Sequence, residues 1–214
     1  MHRFLPRLLL PLLLLLVLAP AAVPCARADS TVMLNEFMAG PSRDWDGNGV
    51  FSSRDDEWVE VVNLGAAPVD LTPYLITDGD HLPRYALSGT LAAGGHLAVY
   101  GGESWNWEKA HGFPAFGFSL ANGGDQVILW QVVGAETLQV DAYTYTSQAG
   151  ASDRAVGRSP DGTGPWVLFD SLNPYTGTTP PLGNNCAPTP GAENACTTTP
   201  ALISSWGRLK TLYR

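Results

Sequence analysis

The 214-residue chain reads as an all-β domain, an antiparallel sandwich or barrel of immunoglobulin-like size. Three observations predict it. Short segments that alternate apolar and polar residues recur from residue 32 onward. Clusters of Gly, Asn, Asp and Pro separate them, and helical periodicity is almost absent.

Val32 to Phe37 is the first predicted strand. Glu57-Trp58-Val59-Glu60-Val61-Val62-Asn63 alternates charge with apolar bulk, the period-two signature of a strand with one buried face, and Trp58 is placed in the core. Val69-Asp70-Leu71 and Tyr74 to Thr77 follow, split by Pro73. Arg84 to Leu87, His96 to Tyr100, Gln126 to Val133 and Leu138 to Tyr145 continue the series; Ala155 to Arg158 and Trp166 to Phe169 complete it. Trp105 to Phe118, rich in aromatic residues, reads as a long loop with a short helix beginning near Ser104. Residues 171–200 lose all periodicity and read as a closing strap that runs into a linker, Thr197-Thr198-Thr199-Pro200.

Both ends of the chain differ from this domain. Arg3 and Arg7 precede an apolar run from Leu8 to Leu18, broken only by Pro11, and Ala26-Arg27-Ala28 supplies a small-x-small cleavage pattern. The run is shorter than the ~20 residues a spanning helix needs, which favours a cleaved signal peptide over a retained anchor. Val23-Pro24 before Cys25 fit a lipoprotein signal poorly. The expected organisation is a signal peptide over 1–28, one domain over 29–196, and a linker with a short tail over 197–214. In the tail, Trp206, Leu209, Leu212 and Tyr213 fall at helical spacing beside Arg208, Lys210 and Arg214. A basic amphipathic helix of this kind suits a membrane surface or a sorting machinery; a frayed or packed terminus is the plainer reading. No other segment is apolar enough to cross a membrane.

Cleavage leaves nine basic residues against 20 acids, a net charge of −11. Such a surface repels phosphate backbones, so nucleic-acid binding by charge is not expected. It also leaves two cysteines, Cys186 and Cys196, whose even number in an exported chain predicts a disulfide. The expected location is secreted, extracellular or at the cell surface.

Between the first two strands lies Asp44-Trp45-Asp46-Gly47-Asn48-Gly49-Val50-Phe51-Ser52-Ser53-Arg54-Asp55. Side-chain oxygens stand at the first, third, fifth, ninth and twelfth places, and Gly49 at the sixth, as in an EF-hand calcium loop. Asp44, Asp46, Asn48, Ser52 and Asp55 are the predicted side-chain ligands and Val50 gives its carbonyl; Phe51 is read as an apolar anchor. No helical pattern flanks the loop, so the ion would sit in an isolated loop between strands. A solvated acidic turn draws on the same residue types.

Several segments together resemble the lamin-tail domain, in particular its exported bacterial branch. They are Leu34-Asn35-Glu36-Phe37, Asp56 to Asn63, Val69-Asp70-Leu71 through Asp78, Leu91 to Val99, Phe118-Ser119-Leu120 before Gly124 to Leu129, Gly157 to Gly162 with Trp166, and Thr189-Pro190-Gly191-Ala192-Glu193-Asn194. The resemblance runs through nearly the whole exported chain, and its specificity lies in the order of the pieces. It implies an immunoglobulin-like antiparallel β-sandwich, with the acidic loop as an insert between the first two strands. It also implies a non-catalytic module of surface or secreted proteins, nucleases among them, and supplies no catalytic residues.

The residues themselves give little support for catalysis. His81, His96 and His111 lack zinc spacing, and neither a nucleophile elbow nor a phosphate loop is present. Glu36, Glu57 and Glu60 invite a paired-carboxylate reading, but structural hydrogen bonding explains them more simply. Trp105, Trp107, Phe113 and Phe116 crowd one segment and offer a platform for a sugar or protein partner; capping an open end of the sandwich is the alternative. The expected function is therefore a non-catalytic binding or structural module ordered by calcium. A carbohydrate-binding module, or an accessory domain of a secreted nuclease or hydrolase, is the alternative.

Overall fold

The computed structural model describes residues 30–196. Eleven strands and one helix form among them: β1 (Val32–Met38), β2 (Trp58–Asn63), β3 (Val69–Asp70), β4 (Tyr74–Thr77), β5 (Pro83–Ala86), β6 (Thr90–Leu91), β7 (His96–Tyr100), α1 (Gly101–His111), β8 (Gly124–Val133), β9 (Glu136–Thr146), β10 (Ala155–Arg158) and β11 (Trp166–Phe169). One sheet runs β11-β10-β1-β2-β7 and the other β5-β4-β8-β9, with β3 and β6 as a separate pair. Every pairing between these strands is antiparallel.

Alternation along the strands builds the core. Val59 and Val61 of β2 turn inward with Val32, Leu34 and Phe37 of β1, and meet Ile76, Val127 and Leu129 from the second sheet. Phe37 lies 5.0 Å from the ring of Tyr145 and 6.0 Å from that of Trp166. The β1–β2 register slips between Leu34 and Glu36. This bulge leaves Asn35 without a partner in the ladder, and its buried amide is used elsewhere.

The opposite face of the first sheet is also covered. Met38, Trp58, Ala155 and Phe169 pack there with Cys186 of the C-terminal strap. Cys186 and Cys196 are joined in a disulfide, with Cα atoms 5.2 Å apart. Between them the strap lies on two buried glutamates. Thr189 donates its N–H and its hydroxyl to Glu36 (3.2 and 2.7 Å), and the Gly191 N–H donates to Glu60. Asn194 reaches the carbonyls of Asn35 and Arg158. A Cβ on Gly157 would stand 2.7 Å from the Asn194 amide and 2.9 Å from the Glu36 side chain, so only glycine admits the strap this closely.

The aromatic segment departs from its reading as a loop. Residues 101–111 are helical, three residues earlier than the expected start. Glu103 accepts the N–H of Tyr100 at 2.9 Å and caps the first turn. The helix stops at Gly112, and Phe113 donates back to the Glu108 carbonyl. The buried residues of α1 are Gly101, Ser104 and Glu108, so it carries no apolar stripe from which periodicity could reveal it. The two-residue strand β6 is likewise an addition to the expected series. Among the described residues no helix is long and apolar enough to cross a membrane. The expected signal peptide and basic tail lie outside the described residues.

Candidate metal centre

The insert leaves the sheet after Met38 and returns at Trp58, two residues paired across β1 and β2; Trp58 also pairs with Tyr100 at the end of β7. The loop therefore sits at one end of the first sheet, beside the start of α1. Two buried carboxylates shape it. Asp153 accepts the Ser42 N–H (2.9 Å), the Ser42 hydroxyl, the Arg43 guanidinium (2.9 Å) and the Trp45 indole N–H (2.9 Å). Burial works against its charge, but these donors prevail and hold Asp153 below the usual carboxylate range. Asp56, 0 % exposed, accepts the N–H groups of Trp45 (2.6 Å), Asp46 (3.0 Å) and Ser52 (2.8 Å), and so ties the two limbs of the loop together.

Inside this frame the ligand-type side chains bond to the loop's own backbone. Asp44 takes the N–H groups of Gly47 (2.8 Å) and Gly49 (2.7 Å). Asp46 takes the Asn48 N–H at 2.9 Å, and the Asn48 oxygen takes the Val50 N–H at 2.8 Å. One carboxylate oxygen from each of Asp44, Asp46 and Asp56 lies within 4.8 Å of the others. Oxygens bound at 2.3–2.6 Å on either side of a calcium ion stand up to roughly 5 Å apart, so the three fit a common hard cation. Each carboxylate keeps lone pairs beyond those used by the N–H bonds. The Asp46 carboxyl is held above its usual range, first by partial burial and then by its neighbours Asp44 and Asp56.

The structure thus brings together Asp44, Asp46 and Asp56. Asp55 faces an adjoining cleft with Asp46 and Asn48. Ser52 accepts the Asp55 N–H at 3.2 Å. Asp56 escaped the sequence reading because a twelve-residue template ends one residue before it; its burial singles it out. Val50 is 67 % exposed. Phe51 is 50 % exposed and does not anchor the loop; the Trp45 ring does so instead, 6.4 Å from that of buried Trp58.

The aromatic residues of α1 and the following turn divide into two groups. Trp107 stacks on His111 (4.3 Å) and Phe113 (5.5 Å) and touches Tyr85, while Phe116 lies under Arg54 and Arg84. These rings pack against one another and against neighbouring side chains, Phe116 remaining 45 % exposed. Trp105 points elsewhere: it lines the cleft beside the acidic loop. The three histidines among the described residues stand apart, His81 against Trp130, His96 on Asp161 at 2.7 Å and His111 on Trp107. Glu36, Glu57 and Glu60 are buried. Glu36 and Glu60 hold the strap, and Glu57 accepts the Leu120 N–H at 3.1 Å.

Two antiparallel sheets closed over a shared core define an immunoglobulin-like β-sandwich. The chain belongs to the lamin tail domain family, whose profile matches residues 26–147. Members of that family are immunoglobulin-like domains, not usually catalytic. The match ends with β9, yet β10, β11 and the strap complete the first sheet and cover its outer face. No curated protein matches the chain, and no solved structure matches it.

Proposed function

We propose that this chain is a secreted or cell-surface binding module of lamin-tail type, without catalytic activity, whose acidic insert is ordered by calcium. The observation that carries the reading is the convergence of Asp44, Asp46 and Asp56 on one point, in a loop already folded around them. Calcium would be held by these three carboxylates, with Asn48, Ser52, Asp55 and the Val50 carbonyl as the remaining oxygen donors of the loop. The ion supplies positive charge that offsets carboxylate crowding, so loop order follows calcium by mass action. Extracellular modules bind calcium at about 10⁻⁴–10⁻³ M, which suits an exported domain. The partner is a surface protein or polysaccharide, and the acidic charge argues against nucleic acid.

Thermal unfolding of the exported chain in calcium and in chelator tests this. At 10 mM calcium and a dissociation constant near 0.1 mM, binding adds about 2.7 kcal/mol. That amounts to a rise of roughly 5–10 °C for a domain of this size. The rise should disappear in Asp46→Ala; equal melting with and without calcium would remove the reading.

A further inference from the structure

The acidic loop and helix α1 enclose a cleft of about 550 Å³, within the size range of ligand-binding clefts. Asp46, Asn48 and Asp55 form one wall; Glu103, Trp105 and Asn106 form the other. The helix is set close against the loop by backbone bonds from Gly101 to the Glu57 carbonyl (2.7 Å) and from Gly102 to the Asp55 carbonyl (3.1 Å). A Cβ on Gly101 would fall 1.8 Å from the Arg54 carbonyl oxygen, so this junction requires glycine. The two walls are therefore fixed relative to one another.

We propose that this cleft binds a neutral polysaccharide, with Trp105 as the stacking platform and the facing carboxylates and amides as partners for ring hydroxyls. The chemistry of the lining points to that class. Trp105 is 38 % exposed, its indole N–H has no partner among the described residues, and the Lys109 ammonium braces the ring 4.1 Å from its centroid. An aromatic face held in one orientation suits the C–H face of a pyranose, and it loses little entropy on binding. The Asn106 amide is exposed and also unpartnered among the described residues, leaving donors and an acceptor for hydroxyls.

Charge narrows the class further. Glu103, on the wall away from the ion, repels uronate, sulfate or phosphate groups. A cationic chain placed on Trp105 would meet Lys109 over the same ring. The inference rests on the calcium reading in one respect: the ion neutralises and orders the Asp46 wall, leaving hydroxyl recognition as the dominant polar chemistry. It also separates two roles within the aromatic segment. Trp105 serves the cleft, while Trp107, Phe113 and Phe116 pack against neighbouring side chains.

Affinity electrophoresis of the exported chain tests this, with calcium present, through gels containing galactomannan, xylan or mixed-linkage β-glucan. Polygalacturonate and chitosan gels serve as the charged comparisons. Retardation is expected in at least one neutral gel, at least tenfold weaker for Trp105→Ala and retained by Trp107→Ala, whose loss of packing lowers the melting temperature instead. Trp105→Ala should keep its calcium-dependent melting shift, which shows that the fold and loop are intact. Absence of retardation in every neutral gel, retardation in the charged gels alone, or retention that survives Trp105→Ala would overturn the proposal. A flat calcium response alongside Trp105-dependent retention would remove the calcium reading alone.

Discussion

The buried carboxylate of Asp56 accepts the backbone N–H of Trp45 at 2.6 Å, across eleven residues of acidic loop. The same carboxylate holds Asp46 and Ser52, and one of its oxygens lies close to those of Asp44 and Asp46. Asp56 is thus both a strut of the loop and a candidate ligand.

Those two roles separate by mutation. Asp46→Ala removes a ligand and should abolish the calcium response while changing stability in chelator by less than ~1 kcal/mol, since the Asp46 carboxylate accepts N–H groups from Asn48 alone among the described residues and the backbone bond to Asp56 survives. Asp56→Ala strands three N–H groups, and bonds to charged acceptors are worth about 1.5–3 kcal/mol each. It should destabilise the chain by at least ~3 kcal/mol in chelator as well. Denaturant titrations of both variants check this; equal losses in chelator would contradict the strut role.

The glutamates beneath the strap predict an inverted pH dependence. Burial pushes Glu60 up to about 7, against hydrogen bonds from Asn35 and Gly191. Burial likewise pushes Glu36 well above its ordinary value, against the Thr189 bonds, with Glu60 and Asp161 adding to the rise. Between the ordinary carboxylate range and these raised values the folded chain keeps protons that the unfolded chain has released. Stability is therefore complete at low pH and declines as pH rises through the folded values, by up to about 1.4 kcal/mol per pH unit for one group. Glu60→Gln mimics the protonated form and should flatten the decline between pH 5 and 7.5. A profile identical to that of the parent chain would dismiss Glu60 as its source.

The segment after α1 depends on one cation. Arg84, buried, bonds Asp78 (2.8 Å), Asp80 (2.7 Å) and Glu108 (3.0 Å). Glu108 in turn accepts the N–H groups of Phe116 (2.6 Å) and Gly117 (2.8 Å). Removing one member of a buried ionic group leaves uncompensated charge at a cost of about 3–5 kcal/mol. Arg84→Met should lose that much in chemical denaturation and expose the segment after α1 to proteolysis. A loss under ~1 kcal/mol would show that Asp78 and Glu108 find other partners.

Strand positions were legible because short apolar or alternating segments stand between turn clusters of Gly, Asn, Asp and Pro, and β4, β7, β10 and β11 have the bounds this pattern predicts. The helix is legible only as a short start near Ser104 inside a loop, because what it buries is a glycine, a serine and a glutamate held by hydrogen bonds. At the loop, spacing singles out Asp44 and Asp46, whose carboxylates lie together with that of Asp56, but adjacent Asp55 and Asp56 look alike to a spacing rule; only burial tells the strut from the cleft residue. The Glu36 and Glu60 environments depend on a strap more than a hundred residues away, which no local pattern encodes. The cleft pairs two segments distant in sequence, so no local pattern encodes it either.

The strap also joins the two ends of the described fold. Thr189 closes on Glu36 across 153 residues, and Asn194 on Asn35 across 159. β1 needs β10 at its side and the strap above it before Glu36 and Glu60 are shielded from water. Contacts of this range close slowly, and the strap residues that cover the first strand lie far from it in sequence. A chain that stops short of Thr189 lacks these bonds, so Glu36 and Glu60 face water until the strap is in place.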